Sequence, residues 1–204
     1  MRLMRLSGVA GAALFVTAFL VEGATRGGGY DPLRHPVSSL AIGDLGWTQT
    51  ANFLVTGLLM LAFAISLRGT SRWGLALMLA FAVGLIGAGL FVTDPVNGYP
   101  QDAPATSTTA GTLHDLFSLL VFAGLPAACF VYARRFAGWG RPGWTAYSIV
   151  TGVVFLAGFV ITGVGFSGAA GLSPIAGLLQ RLTLVVGLTW VALLGSGIRT
   201  VYRT

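Results

Sequence analysis

Six apolar stretches, each about as long as a bilayer is thick, take up most of this 204-residue chain and leave few folds open to it. A helix rises about 1.5 Å per residue, so roughly 20 apolar residues cross a hydrocarbon core of about 30 Å. Inside that core only helices and closed barrels satisfy every backbone N–H and C=O. The stretches fall near 6–24, 47–67, 73–92, 113–133, 144–166 and 174–198, and none alternates apolar and polar residues as barrel strands do. The chain is therefore expected to be all-α, a single six-helix transmembrane bundle over residues 1–204 in the cell membrane.

Charge gives the bundle a direction. Only 9% of the residues are charged, yet the net charge is +6. Such an excess can signal nucleic acid. Here the arginines stand in ones, twos and threes at the ends of apolar runs, so membrane topology explains them and no nucleic-acid partner is expected. Arg2 and Arg5 precede the first span, and Arg68 and Arg72 separate the second from the third. Arg134, Arg135 and Arg141 separate the fourth from the fifth, while Arg199 and Arg203 follow the last. The opposite loops hold only Arg26 and Arg34, offset by Asp31 and Asp44, and the 94–111 loop has two aspartates and no arginine. The positive-inside rule then puts both termini in the cytoplasm. Residues 1–5 resemble the start of a signal peptide, but the apolar run is long for one and Val21-Glu22-Gly23-Ala24 is a poor cleavage site. The first span is expected to be retained.

Smaller features fit the same plan. Trp47, Trp73 and Trp144 each open a span, where an indole sits at headgroup level. Gly84, Gly87, Gly89, Gly152, Gly158 and Gly163 are expected to let helices approach closely, since packing rather than water drives association in lipid. The lone Cys129 excludes an intramolecular disulfide and a cysteine metal cage. Spans two–three and four–five read as two versions of one hairpin, each entering with polar residues and turning at arginines.

Ionisable groups inside apolar segments mark functional sites by default, and here they gather at the end opposite the termini. His114 and Asp115 open the fourth span, with Ser118 a turn below. Arg181 lies about 10 Å, or two turns, inside the sixth. Asp94 and Glu22 fall at the same level. Gln49, Asn52 and Thr56 recur on one face of the second span, where amides gain hydrogen bonds by facing inward. The first loop, Tyr30-Asp31-Pro32-Leu33-Arg34-His35-Pro36-Val37-Ser38-Ser39-Leu40, carries two prolines that hold it out of helix. It is expected either to fold over the mouth of the bundle, presenting Arg34 and His35, or to remain a surface loop with Asp31 and Arg34 paired. Asp115 has a structural role open to it at a helix N-terminus. Arg181 calls for an ion pair, with Asp115, Asp94 or Glu22 as partner, or for an anionic ligand.

Catalytic arrangements fit less well. Zinc takes three ligands and an open position, and His35 and His114 with Asp94 or Asp115 meet that count without the usual spacing, so no metal is expected. Ser38 or Ser39 with His114 and Asp115 would make a nucleophile system, but neighbours on a helix point about a hundred degrees apart. Two histidines could ligate haem, yet one is in a loop, and no cofactor is expected.

The segment 31–40 followed by Gly46-Trp47, together with Phe91-Val92-Thr93-Asp94-Pro95, Gly111-Thr112-Leu113-His114-Asp115 and Gln180-Arg181, resembles the signature of the DUF998 family of prokaryotic integral membrane proteins. The resemblance spans nearly the whole chain and implies a six-span membrane fold with these outer-face polar positions as a family pattern. It implies no reaction. The Pro-Val-Ser-Ser loop is more faintly similar to the Frag1/DRAM/Sfk1 group of six-span proteins.

The expected function is binding or handling of a lipid headgroup or small anionic solute in an outer-face pocket. Its candidate residues are Arg181, His114, Asp115, Asp94, Arg34, His35 and Asn52, and its expected partners are membrane lipids and a small anion. A membrane lipid hydrolase or transferase using His35, Asp94 and His114 is the alternative, with Asp115 a further catalytic candidate. A non-catalytic structural or accessory subunit is the third.

Overall fold

The computed structural model describes residues 2–104 and 106–201, with side chains over 3–104 and 106–196. Arg203 lies outside the described residues, as do the side chains of Arg2 and Arg199 that contributed to the charge asymmetry. Six long helices carry the fold: α1 (Arg2–Thr25), α2 (Gly46–Ser66), α3 (Arg72–Leu90), α4 (Thr109–Gly138), α5 (Pro142–Phe166) and α6 (Ala176–Val201). All six are long and apolar enough to cross a membrane, and no strand occurs among the described residues. Short 3-10 turns at Val37–Ala41, Ala169–Gly171 and Ser173–Ile175 complete it. Each helix packs on the next and α6 returns to α1, so the bundle is a closed ring.

Sequence spacing located every helix, but α4 begins four residues before the expected 113 and runs five past 133. Thr108 explains the early start, because its hydroxyl accepts from Gly111 N–H and caps the helix. His114 and Asp115 consequently stand in the second turn rather than the first. Thirty residues make α4 about 45 Å long, so both ends project beyond a hydrocarbon core of about 30 Å.

Close approach is built with glycine. A Cβ at Gly87 would lie 2.1 Å from the Phe117 ring, and one at Gly158 would lie 2.2 Å from Thr183 Oγ1. Gly84, Gly89 and Gly152 are similarly crowded. Gly163 is the exception: nothing lies within 4 Å of its would-be Cβ, so it is not a packing position. Toward the terminal end the ring is filled by Phe63, Tyr132, Phe136 and Trp190, all fully buried. The indole of Trp190 donates to Ser148 Oγ at 3.0 Å, so a polar group in apolar surroundings stays satisfied. Trp47 and Trp73 are exposed, as anchors should be, whereas Trp144 is half-buried against Phe136 and Tyr147.

Candidate functional site

Loop one folds onto the bundle, and Arg181 is what holds it there. Its Nη1 donates to the carbonyls of Pro32 (2.6 Å), His35 (3.0 Å) and Gly177 (3.0 Å), and Nη2 donates to the Tyr30 hydroxyl. The guanidinium also lies over the rings of Phe19 and Tyr30, 6.0 and 5.8 Å from their centroids. The expected ion pair is not formed. Among the described residues Arg181 meets no carboxylate, and Glu22 pairs with Arg26 at 3.4 Å instead. Backbone carbonyls and aromatic faces offset the burial of this charge, which would otherwise cost several kcal/mol.

Other contacts lock the same segment. Val37 N–H donates to Gln180 Oε1 and Leu178 N–H donates to Leu33 O. Gly177 lies so close that a Cβ there would be 2.5 Å from His35 O. Asp31 and Arg34 do not pair: Asp31 accepts from Leu33 N–H, and Arg34 Nε donates to Asn97 O while Asn97 Nδ2 donates back to Arg34 O. Asn97, with a left-handed φ of 57°, and Tyr99 were not singled out in the sequence. The Asn97-Gly98 turn was the available signal, since asparagine and glycine tolerate that conformation.

The two histidines have opposite proton arrangements. His35 is buried between Tyr30 and Tyr99, and its Nδ1 accepts from Asp31 N–H at 2.8 Å, which puts the proton of the neutral ring on Nε2. Burial and the nearby Arg34 push its pKa below the usual histidine value. His114 Nδ1 instead faces two carbonyl oxygens at the C-terminus of α3, Ala88 O at 3.0 Å and Phe91 O at 2.9 Å. Carbonyls only accept, so Nδ1 carries the proton of the neutral ring and Nε2 is its acceptor nitrogen.

Thr108 rather than Asp115 caps α4, and Asp94 braces that cap. Its carboxylate accepts from the Thr108 amide (2.9 Å) and hydroxyl (2.7 Å) at the start of α4. These bonds hold its pKa below the ordinary carboxylate value. A Cβ at Gly111 would collide with it at 2.0 Å. Asn52 bonds within the bundle, to Phe15 O, Gln49 and Thr56. His35, Asp94, Arg34, Asn52 and Arg181 thus all have structural partners. No group of three metal-ligating side chains assembles among the described residues, so the considered set of His35, His114 and an aspartate does not come together.

His114 and Asp115 do share a cavity. It measures about 460 Å³ and takes side chains from all six helices and from loop one. Most of its wall is apolar, including Phe53, Phe122, Phe159 and Leu184, with Phe122 and Phe159 stacked at 4.8 Å. Ser38, Thr93, His114, Asp115, Ser118 and Gln180 supply its polar groups, and no arginine lines it. Asp115 is exposed on the rim, about 9 Å below the start of α4, and makes no hydrogen bond or ion pair with the described residues. His114 and Asp115 diverge as their helical spacing requires, one turned toward α3 and the other onto the rim. Ser39 is buried outside this lining. The aromatic wall was not foreseen, because apolar residues in a span carry no mark of facing a cavity rather than a neighbouring helix.

A closed ring of six apolar helices with a part-polar cavity defines a multi-pass membrane protein. Residues 9–197 match the model of the family described as protein of unknown function DUF998, and the chain belongs to that family. No curated protein and no solved structure matches the chain.

Proposed function

We propose that this protein binds or handles a membrane amphiphile in the cavity beside α4, its chain against Phe122, Phe159 and Leu184 and its head at His114 and Asp115. The observation that carries this is the contrast among the candidate residues. Arg181, Asp94, His35, Arg34, Asn52 and His114 all have structural partners, while Asp115, the charged group in the cavity wall, has none among the described residues. A volume of about 460 Å³ falls within the range of ligand pockets. The expectation of an anion drawn by Arg181 depended on that charge facing the pocket. With Asp115 as the charged lining group, a cationic or hydroxyl-bearing headgroup fits better. The positive-inside asymmetry supports a site opening to the outer side of the cell membrane, with both termini in the cytoplasm.

A second reading, lipid hydrolysis or transfer, draws on one feature. His114 lines the cavity with Nδ1 held by the α3 carbonyls, which leaves Nε2 of the neutral ring as the nitrogen suited to take a proton from a hydroxyl or water. His35 and Asp94 would have no part in it.

Native mass spectrometry of the purified protein tests the binding. The wild type is expected to retain an amphiphile. Asp115→Asn should weaken retention about tenfold, equivalent to about 1.4 kcal/mol, and Ser118→Phe, which fills the cavity, should abolish it. Equal retention by all three would overturn the proposal. Turnover of the retained lipid by the wild type and not by His114→Gln would select the enzymatic reading.

A further inference from the structure

The opposite end of the bundle carries a second feature, built from other residues. Two adjoining open clefts of about 530 and 600 Å³ share Ser71, Trp73 and Arg135 in their walls. Arg134 and Trp139 complete the first, and Arg72 lines the second. The clefts lie between the start of α3 and the last turn of α4, which places them at the arginine-rich end. All six side-chain carboxylates of the protein (Glu22, Asp31, Asp44, Asp94, Asp102 and Asp115) belong to the other end. Arg72, Arg134 and Arg135 therefore have no side-chain carboxylate within reach, and all three are exposed. Arg72 lies over the Trp73 ring at 5.5 Å, which fixes a cation beside an indole at the depth where headgroups sit.

We propose that these clefts bind the phosphodiester headgroup of an anionic phospholipid from the adjacent leaflet. Guanidinium groups match phosphate oxygens in a planar fork. Trp73 is 62% exposed, which leaves its face free to cover glycerol and the first methylenes of a bound lipid. Basic pockets between transmembrane helices on the cytoplasmic side are a recurrent setting for such headgroups. A merely positive surface would attract anionic lipid diffusely. Here three cations and two indoles border the same pair of clefts.

The test uses the full-length protein in nanodiscs of phosphatidylcholine with increasing phosphatidylglycerol, read by tryptophan fluorescence and by native mass spectrometry of retained lipid. Saturable retention of phosphatidylglycerol is expected, at least fivefold over phosphatidylcholine. Arg135→Gln should lower it by fivefold or more, with the thermal transition in phosphatidylcholine unchanged. Arg68→Gln removes the same charge from the same end but outside both clefts, and should change it less than twofold. An equal effect of Arg68→Gln would show diffuse attraction and overturn the proposal, as would a wild type with no preference. Inorganic phosphate producing the same saturable fluorescence change at millimolar concentration would overturn the lipid assignment in favour of a soluble anion. Should Arg135→Gln not fold, the wild-type preference and the Arg134→Gln variant carry the same decision.

Discussion

Replacing Arg181 with methionine removes the side chain that fastens loop one while keeping its apolar stem. Pro32 O and His35 O would lose their charged donor, and the Tyr30 hydroxyl would lose its guanidinium. Gly177 O lies within α6 and retains the helix's own amide as a donor. Hydrogen bonds to a charged group contribute about 1.5–3 kcal/mol each, so the two loop carbonyls alone stand to lose about 3–6 kcal/mol. The buried cation has no carboxylate, and removing it recovers a desolvation cost of several kcal/mol. We expect a net loss of about 2 kcal/mol in loop docking, which raises the undocked population roughly thirtyfold. Hydrogen exchange reads this directly, because Val37 N–H and Leu178 N–H are closed only when the loop is seated. Both amides should exchange roughly thirtyfold faster in Arg181→Met, with the centre of α3 unchanged. Arg181→Lys should fall between, having lost the fork but kept the charge. Unchanged exchange together with loss of bound ligand would refute the docking role and make Arg181 a ligand anchor. Destabilisation rescued by Asp115→Asn would refute it differently, by revealing an ion pair.

Three further outcomes are expected. The His35 pKa is lowered in the folded protein, so its share of stability is intact above about pH 6.5 and is lost as pH falls from there toward the lower folded value. Protonating Nδ1 would set it against the Asp31 N–H, so loop exchange should quicken over that window in the wild type and not in His35→Gln. Gly87→Ala should cost about 1–3 kcal/mol in unfolding measurements because its Cβ meets Phe117, whereas Gly163→Ala, with open space around it, should cost nothing measurable. Membrane-impermeant thiol reagents on intact cells should label Thr106→Cys and spare Gly138→Cys; the reverse pattern would invert the orientation.

The helices were legible because a span has to be apolar over its whole length, a signal too long for chance to imitate. The start of α4 was missed because its cap, Thr108, lies in polar sequence where hydrophobicity says nothing. Polar positions were legible as a set, but their pairing was not. Asp115 reads in sequence as a helix-terminal acid, and only the Thr108 cap, with Asp94 folded back onto it, shows that α4 starts earlier. Arg181 was expected to meet a carboxylate or an anion. Among the described residues it meets backbone carbonyls, which every residue possesses and no sequence pattern advertises, and the Tyr30 hydroxyl. The cavity is a property of how six helices tilt around one another, so its aromatic wall leaves no local trace.

The central claim is that the cavity at His114 and Asp115 holds an amphiphile. A density map of the wild-type protein purified from its membrane tests it most directly. Elongated density along Phe122 and Phe159, ending within hydrogen-bond distance of Asp115, is expected in the wild type and is expected to be lost in Ser118→Phe. A cavity holding only ordered water, or collapsed by contact between α4 and α6, would contradict it.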